Sequence, residues 1–214
     1  MPKKKLTAAD RRSLKHQNKM LLKKWLKKNK PRIIGLDIST TSTGIYYNGM
    51  SKLLKPKGNE HRLNRIEFMR KTLLYLITVM NFNEKPNIAF VEDYSYSLGA
   101  TSLAQVAEAS GVLKNVLYYS DMLIFSVSPL TLKKFVMGPG GVKEATGSRT
   151  KSLMLVEVLD RWGIKFNNDD ECDAFCLYKF GESFFDYIKG KEFKKWEIEM
   201  FDKFLTDRGD VTRL

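Results

Sequence analysis

The sequence has few of the residues that build disulfide frameworks, zinc sites or membrane spans. Its 214 residues include two cysteines, Cys172 and Cys176, and two histidines. Two cysteines four residues apart in a predicted helix form no disulfide framework, and they fall short of the four ligands of a structural zinc site. No apolar run approaches the roughly 18 residues of a transmembrane helix, and the N-terminus is charged where a signal peptide would be apolar. We therefore expect a soluble protein of the reducing cytoplasm that has no membrane partner.

Acidic residues are scarce in one part of the chain. The formal net charge is +13, and residues 1–30 hold 12 Lys/Arg against one acid, Asp10, whereas residues 31–214 hold 25 basic and 23 acidic residues. Positive charge concentrated in this way is typical of proteins that bind a polyanion. Thr7 followed by Asp10 resembles a capping box, which predicts a basic helix over 7–29 that ends before Pro31. We expect this arm to bind nucleic-acid backbone; a solvated tail or a targeting segment is the alternative.

The rest of the chain has the pattern of an α/β domain. Short runs rich in Ile, Thr and Tyr at 32–56 predict an antiparallel hairpin or meander. The elements predicted after it are a helix (61–80), a strand (87–93), a long helix (101–120), a strand (122–128), a short helix from Pro129, a glycine-rich loop (138–148) and two helices (149–162 and 170–181). This order predicts a mixed five-stranded sheet flanked by helices. We divide the chain into a basic arm (1–30), an α/β domain (31–185) and a C-terminal helical extension (186–214).

A carboxylate interrupts the apolar stretch IIGLDISTTSTGIYY at residues 33–47. Side chains alternate along a strand, so Ile33, Gly35 and Asp37 share one face. A buried and unpaired carboxylate is costly, and it needs a cation or strong donors nearby. Taken alone, Asp37 has two equally weighted explanations: the hydroxyls of residues 40–42 satisfy it, or it is a metal ligand.

Three further carboxylates strengthen the metal interpretation. Glu92 ends the strand of NIAFVEDY, where parallel sheets present functional residues. Asp170 and Asp173 share one face of the helix in NNDDECDAFCLY. Each has an ordinary explanation, as a surface charge or as an acid placed favourably at a helix N-terminus. Together with Asp37 they form a set of hard oxygen ligands that suits Mg²⁺ or Mn²⁺. Two such ions, about 3.5 to 4 Å apart, activate a water and stabilise the leaving oxygen in phosphodiester hydrolysis.

In their order along the chain, these motifs resemble those of the RuvC-type Holliday junction resolvases, within the ribonuclease H-like superfamily. The similar segments lie between about residues 32 and 181 and are IIGLDISTTSTGIYY, IAFVEDYSY, AEASGVLKNVL, SPLTLKKFVMGPGG and DDECDAFCL. The resemblance implies that Asp37, Glu92, Asp170 and Asp173 are the catalytic carboxylates and bind two Mg²⁺ ions, for which Mn²⁺ can substitute. The small size, and a basic arm that is particular to this chain, suggest a phage or viral member of the family. Such a protein would act in the host cytoplasm.

The resemblance also implies a substrate and an assembly. The expected activity is metal-dependent, structure-selective cleavage of four-way DNA junctions, with symmetric hydrolysis of two strands by a homodimer. The long helix at 101–120 would lie in the dimer interface, and ordinary core packing is the alternative for its residues Leu103 and Val106.

Candidate lysines for DNA contact follow the long helix. Lys133 matches the family's motif lysine, which is expected to contact phosphates, and Lys134 extends the basic patch. After it, the segment from Gly138 to Lys143 departs from the family pattern. Three candidates for the catalytic lysine therefore stay open, and they are Lys143, Arg149 and Lys151.

Candidate base-stacking residues lie just after Glu92. The family carries an aromatic residue three positions beyond its glutamate, whereas this chain has Ser95 there, between Tyr94 and Tyr96. Either one of these tyrosines stacks on DNA bases, or both pack in the fold.

Three other functions compete with junction resolution. The segment GLDISTTSTG also looks like the phosphate loop of sugar kinases and actin-like ATPases, but those proteins need two such domains. MGPGGVKEATGS fits no Walker A pattern, so we expect no nucleotide cofactor. A catalytically inactive DNA-binding module is disfavoured by the presence of all four carboxylates. A related nuclease that acts on other branched DNA or on RNA–DNA hybrids remains the main alternative.

Overall fold

A mixed five-stranded sheet with the order β3-β2-β1-β4-β5 organises the fold. The computed structural model describes residues 7–58, 60–79, 87–94, 99–144 and 148–207, with only the backbone at 142–144, 148, 149 and 207. The strands are β1 (Arg32–Ile38), β2 (Thr43–Tyr47), β3 (Met50–Leu54), β4 (Asn87–Glu92) and β5 (Met122–Val127). β1, β2 and β3 pair antiparallel, while β4 and β5 run parallel to β1. The predicted mixed sheet is therefore confirmed.

Helices cover both faces of this sheet. They are α1 (Ala8–Lys28), α2 (Arg62–Val79), α3 (Ala100–Tyr119), α4 (Pro129–Glu144), α5 (Ser148–Trp162), α6 (Asp169–Lys189) and α7 (Lys195–Asp207). Helices α2 and α3 cover one face, and the other five helices belong to the core on the opposite face. Within the described ranges, none of the helices has the length and apolarity needed to cross a membrane.

The alternation of side chains along β1 divides the apolar residues between two cores. Ile34 and Leu36 point toward α2 and α3, where they pack with residues such as Met69 and Leu73. The opposite face of the sheet is aromatic: Phe90 and Phe125 stack with their ring centroids 5.2 Å apart. A layer of phenylalanines from α6 and α7 covers this pair, and its members are Phe180, Phe184, Phe201 and Phe204. Asp37 and Glu92 point toward this aromatic side.

The glycine-rich segment departs from the predicted loop. Helix α4 continues as far as Glu144, across a kink at Gly138 with φ 73° and ψ 176°. Such a positive φ suits glycine, which has no Cβ to clash with the backbone. Pro139 then opens a second helical segment, where its missing N–H would have had no partner in any case. The prediction of a loop over 138–148 is therefore wrong for 138–144 and for Ser148, which begins α5, while 145–147 lie outside the described residues.

The first and last described helices, α1 and α7, pack against the central domain. Helix α1 begins with the predicted capping box, in which the Thr7 hydroxyl accepts from the Asp10 N–H and the Asp10 carboxylate accepts from the Thr7 N–H. Phe201 and Leu205 of α7 are fully buried in the aromatic core. The division into arm, domain and extension stays a prediction, but α7 supplies part of the core.

Candidate active site

Two of the predicted carboxylates extend from neighbouring strand ends. Asp37 lies near the C-terminal end of β1 and Glu92 ends β4, and the parallel pairing of β1 with β4 sets the two side by side. Only 8 % of Asp37 is exposed. The two carboxyl groups lie close enough to interact: burial has the larger effect in raising the pKa of Asp37, and the charge of Glu92 raises it further. The strand alternation thus places both acids on the face that α6 covers.

The other two predicted carboxylates come from the first turns of α6. Asn168 caps this helix, since its side-chain oxygen accepts the N–H of Glu171 at 3.1 Å. The helix then crosses β1 at very short range, because a Cβ built on Gly35 would stand 2.0 Å from the carbonyl oxygen of Ala174. Glycine at this position therefore lets α6 approach the strand that carries Asp37.

All four predicted carboxylates line one cleft with a volume of about 430 Å³. The acidic part of its wall consists of Asp37, Glu92, Asp93, Asp169, Asp170 and Asp173, and Lys133 and Lys151 supply positive charge. Apolar side chains complete the wall, and they include Val106, Leu132, Met154 and Leu155. The cleft thus combines a dense group of acids with two cations and an apolar surface.

Burial and mutual repulsion perturb these acids strongly. Burial raises the pKa of Asp37 well above its usual range, and the charges of Glu92, Asp173 and Asp170 raise it further. Burial also raises the pKa of Glu92, although its hydrogen bond with Asp37 and the charge of Lys133 act in the opposite direction. The pKa of Asp173 rises to about 8, first through burial and then through the charges of Glu92 and Asp169.

The donor set fits a hard divalent cation. No lysine or arginine side chain of the described ranges forms an ion pair with Asp37, Glu92 or Asp173. Buried carboxylates without cationic partners must take up protons or bind metal. Carboxylate oxygens are the ligands that Mg²⁺ and Mn²⁺ prefer. A divalent ion would relieve both the desolvation and the repulsion that raise these pKa values.

The hydroxyl groups of residues 40–42 do not stabilise the carboxylate of Asp37. The hydroxyl of Ser42 donates to the carboxylate of Asp170 instead. None of the hydrogen bonds found for residues 40–42 in the described part of the chain reaches Asp37. Ser42 orients Asp170, a role that the sequence analysis did not assign to it.

The predicted DNA-binding residues separate into three groups. Lys133, Lys151 and Tyr94 line the cleft, whereas Lys134 is not among its lining residues. The side chains of Lys143 and Arg149, together with all of Tyr96, lie outside the described residues. Lys151 also forms an ion pair with Asp169. Among the three candidates for the catalytic lysine, Lys151 is therefore the one whose side chain the structure places at the carboxylates.

Two contacts at the cleft were missed by the sequence analysis. Asp169, which pairs with Lys151, is the first residue of α6 and lies next to Asp170, so the sequence alone did not show which of these two acids forms the ion pair. The ammonium group of Lys114 lies 5.1 Å from the ring centroid of Tyr94 and donates to the Ser126 hydroxyl at 3.3 Å. Burial lowers the pKa of Lys114. This lysine supports Tyr94 from behind the cleft.

The two cysteines lie beside Asp173 on α6. The Cys172 and Cys176 sulfurs and an Asp173 carboxylate oxygen all lie within 4.8 Å of one another. Both thiols are buried, and burial raises the pKa of Cys176 well above its usual range. Protonated, buried thiols of this kind pack as small apolar groups and are poor ligands for Mg²⁺.

Comparison with known proteins finds similarity in structure. No protein-family model and no curated protein sequence matches this chain. A structure of T. thermophilus RuvC in complex with a Holliday junction substrate matches with a TM-score of 0.53 at 13% identity, covering 70% of this chain and 90% of that chain. A second Thermus thermophilus RuvC structure matches with a TM-score of 0.52 at 16% identity, covering 69% and 90%. The chain therefore has a RuvC-like fold.

A third solved structure is less similar. It is the Mos1 transposase catalytic domain with raltegravir and Mg, which gives a TM-score of 0.34 at 15% identity over 89% of this chain and 100% of that chain. That score is too low to bear on the fold.

Proposed function

We propose that this chain is a divalent-metal-dependent endonuclease that cuts four-way DNA junctions by symmetric hydrolysis of two strands. One observation carries the proposal: Asp37, Glu92, Asp170 and Asp173, from two strands and a helix, line a single cleft that also contains Lys133 and Lys151. The RuvC-like fold supports the choice of substrate, since one of the matching structures holds a Holliday junction.

The four carboxylates would hold the metal. We propose two Mg²⁺ ions per site, with Mn²⁺ able to substitute. When bound, such ions supply activation of a water and stabilisation of the leaving oxygen. The protein positions the ligands through β1, β4 and α6, and the apolar part of the cleft limits the access of bulk water.

Cationic side chains would position the scissile strand. Lys133 and Lys151 lie in the same cleft as the carboxylates, so each is placed to bind a phosphate oxygen next to the metal ligands. Tyr94 offers a ring on which an unpaired base can stack. In the free protein Lys151 pairs with Asp169, and a phosphate would replace that partner.

Symmetric cutting needs two active sites, so we propose a homodimer. Exposed aromatic residues at the end of α3 support an interface on this side: Tyr118 is 50% exposed and Tyr119 is 78% exposed. Helix α2 packs beside α3 and adds Phe68 and Tyr75 to the exposed apolar surface. Light scattering coupled to size-exclusion chromatography would measure the mass, and a monomer at micromolar concentration would contradict this part of the proposal.

The function is tested by presenting labelled DNA of different shapes. Four-way junction, Y-form, linear duplex and RNA–DNA hybrid are each incubated with the protein and Mg²⁺ or EDTA, and the cuts are mapped on denaturing gels. We expect paired, symmetric cuts in the junction with Mg²⁺ and none with EDTA. Cutting of the hybrid alone would mean that the substrate is an RNA–DNA hybrid and not a junction. DNA binding without cleavage under any condition would mean that the protein is not an endonuclease.

A variant separates binding from chemistry in the same assay. Asp37→Asn keeps the size of the side chain but removes the charge that a metal ligand needs. We expect it to abolish junction cleavage while junction affinity stays within about threefold of the wild type, since the cationic contacts are intact. Near-normal turnover by this variant would remove Asp37 from the mechanism.

A further inference from the structure

Helix α1 has an inner face that packs into the fold. Leu22 is fully buried in the aromatic core, and Trp25 and Leu26 pack against the same core. The side chain of Asn18 donates to the Leu205 carbonyl at 3.1 Å. The basic N-terminal segment is therefore a docked helix over residues 8–28.

Two basic residues of α1 also belong to this inner face. Lys15 forms an ion pair with Asp202 at 3.0 Å, and Lys19 lies 3.7 Å from the ring centroid of Tyr187. The other basic residues of the helix are exposed, and we call them the outer basic surface of α1: Arg11, Arg12, Lys23, Lys24, Lys27 and Lys28. The structure thus separates the lysines that fix the helix from those that face solvent.

The charge on this outer surface is not that of an ordinary solvated helix. Solvated helix faces usually carry acids and bases together, whereas the one acid of α1, Asp10, is used by the N-terminal cap. Cations of the outer and inner faces lie close enough to affect one another: burial lowers the pKa of Lys19, the charge of Asp202 opposes this, and the positive charges of Lys15 and Lys23 lower it further. Because α1 is docked, its cations have limited freedom to spread apart. A polyanion bound along the helix would relieve this repulsion.

The outer basic surface lies far from the cleft. Helix α1 leads into the start of β1 and contacts Tyr187 near the end of α6, whereas the carboxylates lie at the end of β1 and the start of α6. Asp173 and Tyr187 are 14 positions apart on α6, which is about 20 Å at 1.5 Å rise per residue. This exceeds the Debye length of about 10 Å at 0.1 M salt. The α1 cations therefore act on DNA through their own contacts and not through the catalytic site.

We propose that the outer basic surface of α1 binds the sugar–phosphate backbone of a duplex arm at a site separate from the cleft that would hold the scissile phosphate. The proposal rests on the proposed function for the identity of the polyanion. Lysines supply point charges, which suit phosphates and carry little base specificity. The second contact would strengthen and orient DNA binding without changing the chemistry at the cut.

Deletion of residues 1–30 is not a clean test, because it would also remove Leu22, Trp25 and Leu26 from the core. A substitution that spares the inner face is better, and we choose Lys23→Gln, Lys24→Gln, Lys27→Gln and Lys28→Gln combined. The matched control removes four exposed lysines near β3 and α2: Lys52→Gln, Lys55→Gln, Lys57→Gln and Lys71→Gln. Both variants have the same net charge, so a general charge effect would appear equally in both.

Binding is measured by fluorescence anisotropy with labelled four-way junction and linear duplex over a series of KCl concentrations. For the α1 variant we expect the slope of log affinity against log salt to fall by about 0.9 for each lost phosphate contact, with affinity lower by about tenfold or more at moderate salt. The control should lose less than about threefold, since only general attraction is reduced. Cleavage at saturating protein and the unfolding temperature of the α1 variant should match the wild type.

Each outcome decides between the two proposals. Equal effects of the two variants, or no effect of the α1 variant, would overturn the α1 proposal. Steep, α1-dependent DNA binding by a protein that cuts no junction would uphold it and reject the proposed function. The last measurement is binding to vesicles that contain phosphatidylserine. If the α1 variant loses vesicle binding but keeps its DNA affinity, the surface binds membranes and the proposal is wrong.

Discussion

Gly44 of β2 lies directly against the backbone of Asp170: a Cβ built on this glycine would stand 2.0 Å from the Asp170 carbonyl oxygen. The same glycine is paired with Asp37 across β1 and β2. Gly44 therefore contacts both β1, which carries the candidate ligand Asp37, and α6, which carries the candidate ligand Asp170. Gly35 makes a similar contact with Ala174 one turn further along α6. Because Gly35 and Gly44 have no Cβ atom, α6 lies close enough to the sheet to complete the cleft.

Gly44→Ala should therefore weaken both the fold and the site. A methyl group at this position meets backbone atoms, which cannot move aside as a flexible side chain would, so we expect a loss of unfolding free energy of about 3 kcal/mol. The displacement of Asp170 should also lower Mg²⁺-dependent cleavage by about tenfold or more. Urea unfolding and single-turnover cleavage measure the two effects.

Gly111 supplies the control for this substitution. It lies within α3, and a Cβ there would meet nothing within 4 Å. Gly111→Ala should stabilise the protein by about 0.5 to 1 kcal/mol, because alanine is the better helix former. If Gly44→Ala is as well tolerated as Gly111→Ala, the close approach of β2 and α6 does not determine the site.

The raised pKa of Asp173 predicts how the metal-free protein responds to pH. This carboxyl titrates near 4 in the unfolded chain and at about 8 in the folded protein. Between these values the folded state holds a proton that the unfolded state has released, so stability falls as pH rises through this window. In EDTA we expect the unfolding temperature to drop by several degrees from pH 6 to pH 9.

Two variants and one addition check this assignment. Asp173→Asn should flatten the dependence on pH, whereas Asp160→Asn, at an exposed position of α5, should leave it unchanged. Mg²⁺ should stabilise the protein more at pH 8 than at pH 6, because it competes with protons for the same oxygens. A pH profile of Asp173→Asn that matches the wild type would show that another group dominates.

The lysines of the cleft give a third prediction. Lys133→Gln and Lys151→Gln each remove a cation from the cleft, and the loss of one charged hydrogen bond to phosphate should lower the cleavage rate by about ten- to a hundredfold. Lys134→Gln changes the neighbouring residue, which does not line the cleft, and should cost less than about threefold. The rates are measured at saturating protein so that binding and chemistry are separated. Equal losses in all three variants would mean that the cleft does not define the DNA contact.

Much of the site could be predicted because it depends on local periodicity. Alternation along the strands places Asp37 and Glu92 on one face, and helical spacing groups Asp170 with Asp173. The parallel order of β1 and β4 then brings the strand ends together. These relationships act over a few residues, so the sequence contains them directly.

The parts that were missed depend on contacts between distant segments. Leu22 and Phe201 occupy one aromatic core although 179 positions separate them in the chain. The apolar residues of α1 and α7 do not indicate in the sequence which surface each helix covers. The kink at Gly138 was missed for a different reason, since glycines and a proline together favour a loop unless flanking helical residues extend the helix on both sides.

The C-terminal helix provides the last prediction. Phe201 is fully buried, and its ring centroid lies 5.4 Å from that of Phe180 and 6.4 Å from that of Phe135. Phe201→Ala should lower the unfolding free energy by about 3 to 5 kcal/mol, because it leaves a cavity between α4, α6 and α7. Ile198→Ala, on the partly exposed side of the same helix, should cost less than about 1 kcal/mol. Urea unfolding distinguishes a helix that completes the aromatic core from an appended extension: if the two substitutions cost the same, α7 is an extension, as the sequence analysis expected.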